Sequence, residues 1–177
     1  MARMDRLLCI AAVLVICVGR VHAEAEVKLE ITRLHACCGG CIADIDKALA
    51  SVEGAKGTYD KVGKKADLTA KDAATAEKVL EALGNAGFHG KTNNKDIVMK
   101  DDSGATAGKV KTLTLTAGHI CCGSCVTAVK GAIKTVDGAT PGALKAHDTS
   151  FEITGDFDAV ALIKALDDAG FHCKVKK

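Results

Sequence analysis

The sequence predicts an α+β protein built from two copies of one small unit, each a four-stranded antiparallel sheet with two helices on one face. Three observations carry this. A cysteine-rich stretch, His35-Ala36-Cys37-Cys38-Gly39-Gly40-Cys41, returns as His119-Ile120-Cys121-Cys122-Gly123-Ser124-Cys125, and Val52-Glu53-Gly54-Ala55 returns in the same register as Val136-Asp137-Gly138-Ala139. Ala86-Gly87-Phe88-His89 returns, one position out of that register, as Ala169-Gly170-Phe171-His172. Within each copy the apolar residues follow strand spacing, then helical spacing, then two short extended runs, a second helix and a last strand. Repetition over so long a stretch is a domain duplication rather than a short solenoid repeat.

The elements follow in order. Val27 to Thr32 alternates, with Val27, Leu29 and Ile31 on one face, and Val110 to Thr116 alternates likewise, the pattern of a half-buried strand leading into the cysteine loop. Ile42, Ile45, Leu49 and Val52 take helical spacing, matched by Val126, Val129, Ile133 and Val136. Gly54 and Gly138 are read as the left-handed residues that end these helices. Extended segments are expected at 56–62 and 65–69, and at 143–147 and 150–154, joined at turn-prone Gly63 or Asp148.

Asp72, and Asp156 or Asp158, then precede second helices carrying Ala76, Val79, Leu80 and Leu83, and Val160, Leu162, Ile163 and Leu166. These stop at Gly87 and Gly170, and a last strand begins at Phe88 or Phe171. Strand, helix, strand, strand, helix, strand is the split βαβ order of a ferredoxin-like unit. With so few aromatics, each unit is expected to be modestly stable and to gain stability from a bound metal ion.

Residues 1–23 have another character. Arg3 and Arg6 precede the apolar run Leu7 to Gly19, and Val21-His22-Ala23 is a small-x-small-like end, so the stretch reads as a secretory signal cleaved before Glu24. Thirteen apolar residues fall short of the roughly 20 that span a bilayer, which argues against an uncleaved anchor. The chain is therefore expected to be secreted or periplasmic. The first unit is placed at 24–93, a polar linker with an apolar patch at Ile97-Val98-Met99 at 94–108, and the second unit at 109–177.

Charge excludes some partners. Of 24 basic and 22 acidic side chains, the signal removes Arg3, Arg6 and Arg20 but only Asp5, leaving the mature chain neutral. It has no basic stripe with interleaved aromatics for nucleic acid, and no run long enough for stable membrane insertion once the signal is gone.

Of nine cysteines, Cys9 and Cys17 leave with the signal. Exported chains usually spread cysteines to staple distant loops, whereas Cys37, Cys38 and Cys41, and Cys121, Cys122 and Cys125, form two tight triplets. Thiolate and imidazole are the ligands that zinc, cadmium, mercury and cuprous copper prefer, and Cys-x-x-Cys aims two sulfurs at one ion from a single backbone turn. A start of a helix at Cys38 and Cys122 points unpaired backbone N–H groups at them, which favours thiolate. The expectation is a metal binder with two sites and no enzymatic activity.

Two readings stay open for the flanking residues. Cys37 and Cys121 are third ligands or small residues facing the core; His35 and His119 are ligands, hydrogen-bond donors to a thiolate, or strand-end caps. The candidate metal ligands are therefore Cys38, Cys41, Cys122, Cys125, Cys37, Cys121, His35 and His119. His89 and His172 are expected to turn away from the metal to the surface, His147 to be solvated, and Cys173, with no counterpart, to lie outside the shared site. The alternative function for the same pairs is a thiol–disulfide oxidoreductase, although the Trp that precedes such a motif in thioredoxin-like enzymes is absent and Pro141 is the one proline.

Both units resemble, over their full length, the heavy-metal-associated domains of copper chaperones, of metal-pumping P-type ATPases and of periplasmic mercury-binding proteins. The resemblance rests on Cys38-Gly39-Gly40-Cys41 and Cys122-Gly123-Ser124-Cys125 after a strand, and on Gly87-Phe88 and Gly170-Phe171 after the second helix. It implies a metal ion (Cu, Zn, Hg or Cd) as the ligand and a membrane metal transporter or P-type ATPase as the partner. The chain departs from the family's Gly-Met-Thr-Cys-x-x-Cys by holding Ala36 or Ile120 at the Met, and His35 with Cys37 or His119 with Cys121 at the Gly and Thr. That adds a third thiol and an imidazole, a zinc-compatible set.

Overall fold

The computed structural model describes residues 25–117 and 119–177, so the signal expected at 1–23 lies outside the described residues. The first unit runs β1 (Val27–Thr32), α1 (Gly39–Leu49), β2 (Ala55–Asp60), β3 (Lys65–Ala70), α2 (Ala73–Asn85) and β4 (Lys91–Thr92). The second repeats this with β5 (Lys109–Ala117), α3 (Gly123–Lys134), β6 (Ala139–Pro141), β7 (Ser150–Asp158), α4 (Ala159–Asp168) and β8 (Cys173–Val175). Sheet orders β2-β3-β1-β4 and β6-β7-β5-β8, antiparallel throughout, are those of the ferredoxin-like α+β fold that the residue pattern predicts.

Alternation explains each sheet. On β1, Leu29 and Ile31 are buried, and β3 answers with Ala66, Leu68 and Ala70 on the same face through the register Leu29↔Leu68 and Ile31↔Ala66. Ile45 and Leu49 of α1, with Val79, Leu80 and Leu83 of α2, close the core over them. In the second unit Leu115, Ile153 and Phe157 of the sheet meet Val129, Ile133, Leu162 and Leu166 of the helices. The second helices are capped as expected: the Thr75 N–H donates to Asp72 at 2.6 Å, and the Ala161 N–H to Asp158 at 2.8 Å, which selects Asp158 over Asp156.

Three local expectations are corrected. Helices α1 and α3 end at Leu49 and Lys134, and Gly54 and Gly138, although left-handed at φ 83° and 79°, serve the turn into the next strand. The strand expected at 143–147 lies at Ala139–Pro141 instead. It is an edge strand, where a residue without an N–H is tolerated, and it leaves the sheet after the Gly142 N–H donates to the Glu152 carbonyl. Leu144, which mimicked a strand residue, is buried as a plug, and left-handed His147 bonds its N–H to the Ile120 carbonyl under the cysteine loop.

The last strands begin later than Phe88 and Phe171 because those residues pair with each other. They form an antiparallel bridge between the units, flanked by His89 N–H to Gly170 carbonyl at 3.1 Å and His172 N–H to Gly87 carbonyl at 2.9 Å. The repeated Ala-Gly-Phe-His motif is thus the seam. Gly170 is left-handed there, at φ 91°, and a Cβ on it would lie 2.5 Å from the Arg33 carbonyl oxygen and from the His35 nitrogen of the opposite unit. Residues 93–108 do not run free of the fold: Ile97 is buried, and the Ser103 carbonyl accepts the Val175 N–H beside β8.

Candidate metal centre

Each cysteine triplet straddles a helix start. Cys37 precedes the helix, Cys38 is the residue before its first turn, and Cys41 lies one turn on; Cys121, Cys122 and Cys125 do the same for α3. Small Gly39, Gly40 and Gly123 leave room over this turn, since a Cβ at Gly39 or Gly123 would meet nothing within 4 Å. Cys41 and Cys125 are fully buried beneath it.

The seam brings the two triplets face to face. Cys37 Sγ is 3.3 Å from Cys122 Sγ and 3.5 Å from Cys125 Sγ; Cys121 Sγ is 3.4 Å from Cys38 Sγ and 3.2 Å from Cys41 Sγ. Within a triplet the spacings are similar, with Cys38 to Cys41 at 3.6 Å and Cys122 to Cys125 at 3.8 Å. All six are free thiols. The structure therefore builds one six-sulfur cluster shared by the units, where two separate sites were expected.

Their protonation differs by position. The backbone N–H of Cys125 holds Cys122 down at about 6, helped by the S–H that Cys37 donates to it. Cys38 is lowered for the matching reasons, by the Cys41 N–H and by Cys121. Cys37 and Cys121 are pushed far up, first by lost hydration and then by the hydrogen bonds they donate to their neighbours, and burial also raises Cys41. The metal-free cluster thus sets a lowered thiol at each helix start, Cys38 and Cys122, against raised thiols at Cys37, Cys41 and Cys121.

His35 and His119 take a different place. His119 is buried, stacked on Phe88 at a centroid distance of 3.8 Å and on Phe171 at 5.1 Å, and its Nδ1 bonds the Gly87 carbonyl at 3.0 Å. His35 packs on Phe171 at 4.4 Å. Each imidazole therefore lies on the other unit's phenylalanine. Burial lowers His35 and brings His119 down to about 4, so both rings are neutral. Among the described residues neither Nε2 finds a hydrogen-bond partner, and the sulfur groups tight enough to hold an ion contain neither ring.

His89 and His172 are away from the thiols, as expected, but they are not surface residues. His172 is 6% exposed and donates Nε2–H to Asp102 at 2.6 Å; His89 Nδ1 is 3.1 Å from Asp167 and 3.5 Å from His172 Nδ1. Asp102 also takes Lys174, and Arg33 reaches Asp168 across the seam at 3.2 Å. This cluster pins the units and the segment between them. Its signal in the sequence was the repeated His after Phe. His147 is exposed, as expected, and Cys173 is buried apart from the cluster, its thiol pushed up to about 12 by burial.

The chain is similar to two solved structures from Bacillus subtilis. One is the N-terminal soluble domains of CopA, at 13% identity over 86% of this chain and 95% of that one, with a TM-score of 0.31. The other is the water-soluble region of the P-type ATPase CopA, at 15% identity over 86% of this chain and 93% of that one, with a TM-score of 0.34. No protein-family model and no curated protein matches the sequence. At such scores the case for a metal centre rests on the thiol geometry.

Proposed function

We propose that the chain is an exported, non-enzymatic metal-binding protein of two tandem heavy-metal-associated-like domains, which sequesters or hands on a soft or borderline ion. The observation that carries this is the convergence of Cys37, Cys38, Cys41, Cys121, Cys122 and Cys125, drawn from both units, to contacts of 3.2 to 3.8 Å. So many sulfurs crowded without disulfides suit a d10 cation, which replaces their protons and their mutual repulsion. Export is supported by the signal-like residues 1–23, and among the described residues no helix is long and apolar enough to cross a membrane.

Release would proceed by thiolate exchange. Exposed Cys37 and half-exposed Cys38, Cys121 and Cys122 form the open side of the cluster, where an incoming thiolate of a membrane metal transporter meets the ion before the buried Cys41 and Cys125 let go. Each new metal–sulfur bond forms as an old one breaks, with a proton returned to the freed thiolate and no electron transferred.

The test is equilibrium binding of zinc, cuprous copper, cadmium and mercury to the reduced mature chain, beside a variant with all six cysteines changed to serine. Binding by the parent alone is expected. Equal binding by both would sink the proposal, and sustained turnover of a disulfide substrate, lost in Cys122→Ser, would establish the oxidoreductase in its place.

A further inference from the structure

We infer that the six thiols form a binuclear metal–thiolate centre in which Cys37 and Cys121 each bridge two ions. The inference rests on the metal-binding reading above and specifies how that site is built. It follows from which sulfurs are mutually close. Cys37, Cys38, Cys121 and Cys122 lie within 4.8 Å of one another, and so do Cys37, Cys41, Cys121 and Cys125. Both groups contain Cys37 and Cys121, whereas Cys38 never shares a group with Cys125, nor Cys41 with Cys122. Two four-sulfur sets with one edge in common are two tetrahedra joined along that edge.

Dimensions and valence agree with this. A tetrahedral ion with metal–sulfur bonds of about 2.3 Å has its sulfurs about 3.8 Å apart, and the sulfur contacts run from 3.2 to 3.8 Å with every pair of a set within 4.8 Å. Two four-coordinate ions need eight metal–sulfur bonds from six thiolates, which is met when four bind one ion each and the two shared ones bind both. Cys38 also touches Cys41, and Cys122 touches Cys125, so the four unshared sulfurs can divide between the ions in more than one way. In each, the shared edge gives both ions sulfurs from both units, so neither site exists in one unit alone. The chemical class is a d10 divalent ion that accepts four thiolates, zinc or cadmium.

The bridging assignment also accounts for the cysteines that an ordinary Cys-x-x-Cys lacks. Cys37 and Cys121 immediately precede the helix-start cysteines, and across the seam each reaches both members of the opposite pair: Cys37 touches Cys122 and Cys125, Cys121 touches Cys38 and Cys41. Cys37 touches its own Cys41 at 3.8 Å, and Cys121 its own Cys125 at 3.6 Å. Each of the other four cysteines crosses the seam to one sulfur only. On loading, protons leave the thiols for solvent and the sulfurs keep their oxidation state.

The experiment is anaerobic titration of the reduced mature chain with cadmium and with zinc, read by native mass spectrometry and metal-edge X-ray absorption. Expected are two ions per chain taken up together, four sulfurs around each, and a short metal–metal vector, about 2.7 Å for regular edge-sharing tetrahedra with bonds of about 2.3 Å and longer as the shared edge contracts. In Cys37→Ser, at an exposed position, both ions are expected to fall to three sulfurs and bind at least tenfold more weakly. A single ion per chain, or two ions with two sulfurs each and no metal–metal vector, would overturn the binuclear centre while leaving metal binding intact. No binding at all would instead remove the function on which it rests.

Discussion

Cys122 and Cys37 share a hydrogen bond yet stand at opposite ends of the thiol range. Cys122 is held at about 6 by the helix-start N–H groups, while Cys37 is pushed up by lost hydration. Alkylation of the metal-free, reduced protein is therefore expected to strike Cys122 first, with a rate that rises through pH 6 and then levels, while Cys37 and Cys121 stay unmodified at neutral pH. Peptide mapping after timed iodoacetamide pulses checks this; equal labelling of all six would contradict it. The neighbouring imidazole makes a second prediction. His119 is brought down to about 4 by burial, which outweighs its hydrogen bond to the Gly87 carbonyl, so between about pH 4 and 6.5 the unfolded chain takes a proton that the folded chain refuses. Stability of the metal-free protein should rise with pH across that window. His119→Phe, which keeps the stack on Phe88, should flatten the rise in thermal melts at pH 5 and 7.5.

At the scale of elements, the helices were legible apart from two of their ends, while one strand and the starts of two others were not. Period and capping residues place α2 and α4 because Asp72 and Asp158 are followed by apolar residues on one face, and the cap itself is testable: Asp72→Ala should lower the unfolding free energy by about 1 kcal/mol in denaturant titration. The sequence misled at β6, where Leu144 has the apolar character of a strand but fills the core from a loop, and at Gly54 and Gly138, whose left-handed backbone belongs to a turn. Phe88 and Phe171 misled more instructively. They start no strand in their own sheets because they bridge to each other, and a local pattern carries no record of which partner a strand edge will choose. All six cysteines were legible as candidate ligands, Cys37 and Cys121 with a core-facing alternative; that their sulfurs form one cluster was not, because their convergence depends on that partner choice.

The whole molecule is held in register by the seam, and the six-thiol cluster exists only while the seam holds. Gly170 isolates this dependence. Alanine there must adopt a left-handed backbone, at a cost of about 1–2 kcal/mol, and in addition drives its Cβ into the Arg33 and His35 backbone of the opposite unit, which cannot yield as a side chain would. Gly54→Ala supplies the control, since it carries the same left-handed strain but meets only the flexible Lys71 side chain of its own unit. Both variants should lose stability in melts, and both should keep the helix and sheet content of the parent by circular dichroism. Gly170→Ala alone should open the pair of units, seen as a larger radius of gyration in small-angle scattering. It should also lose at least tenfold in zinc affinity with all six cysteines still present, because no ion can then draw sulfurs from both triplets. An enlarged radius with parent-like affinity in Gly170→Ala would mean that each triplet binds metal by itself, and that the face-to-face thiols are a consequence of packing rather than its purpose.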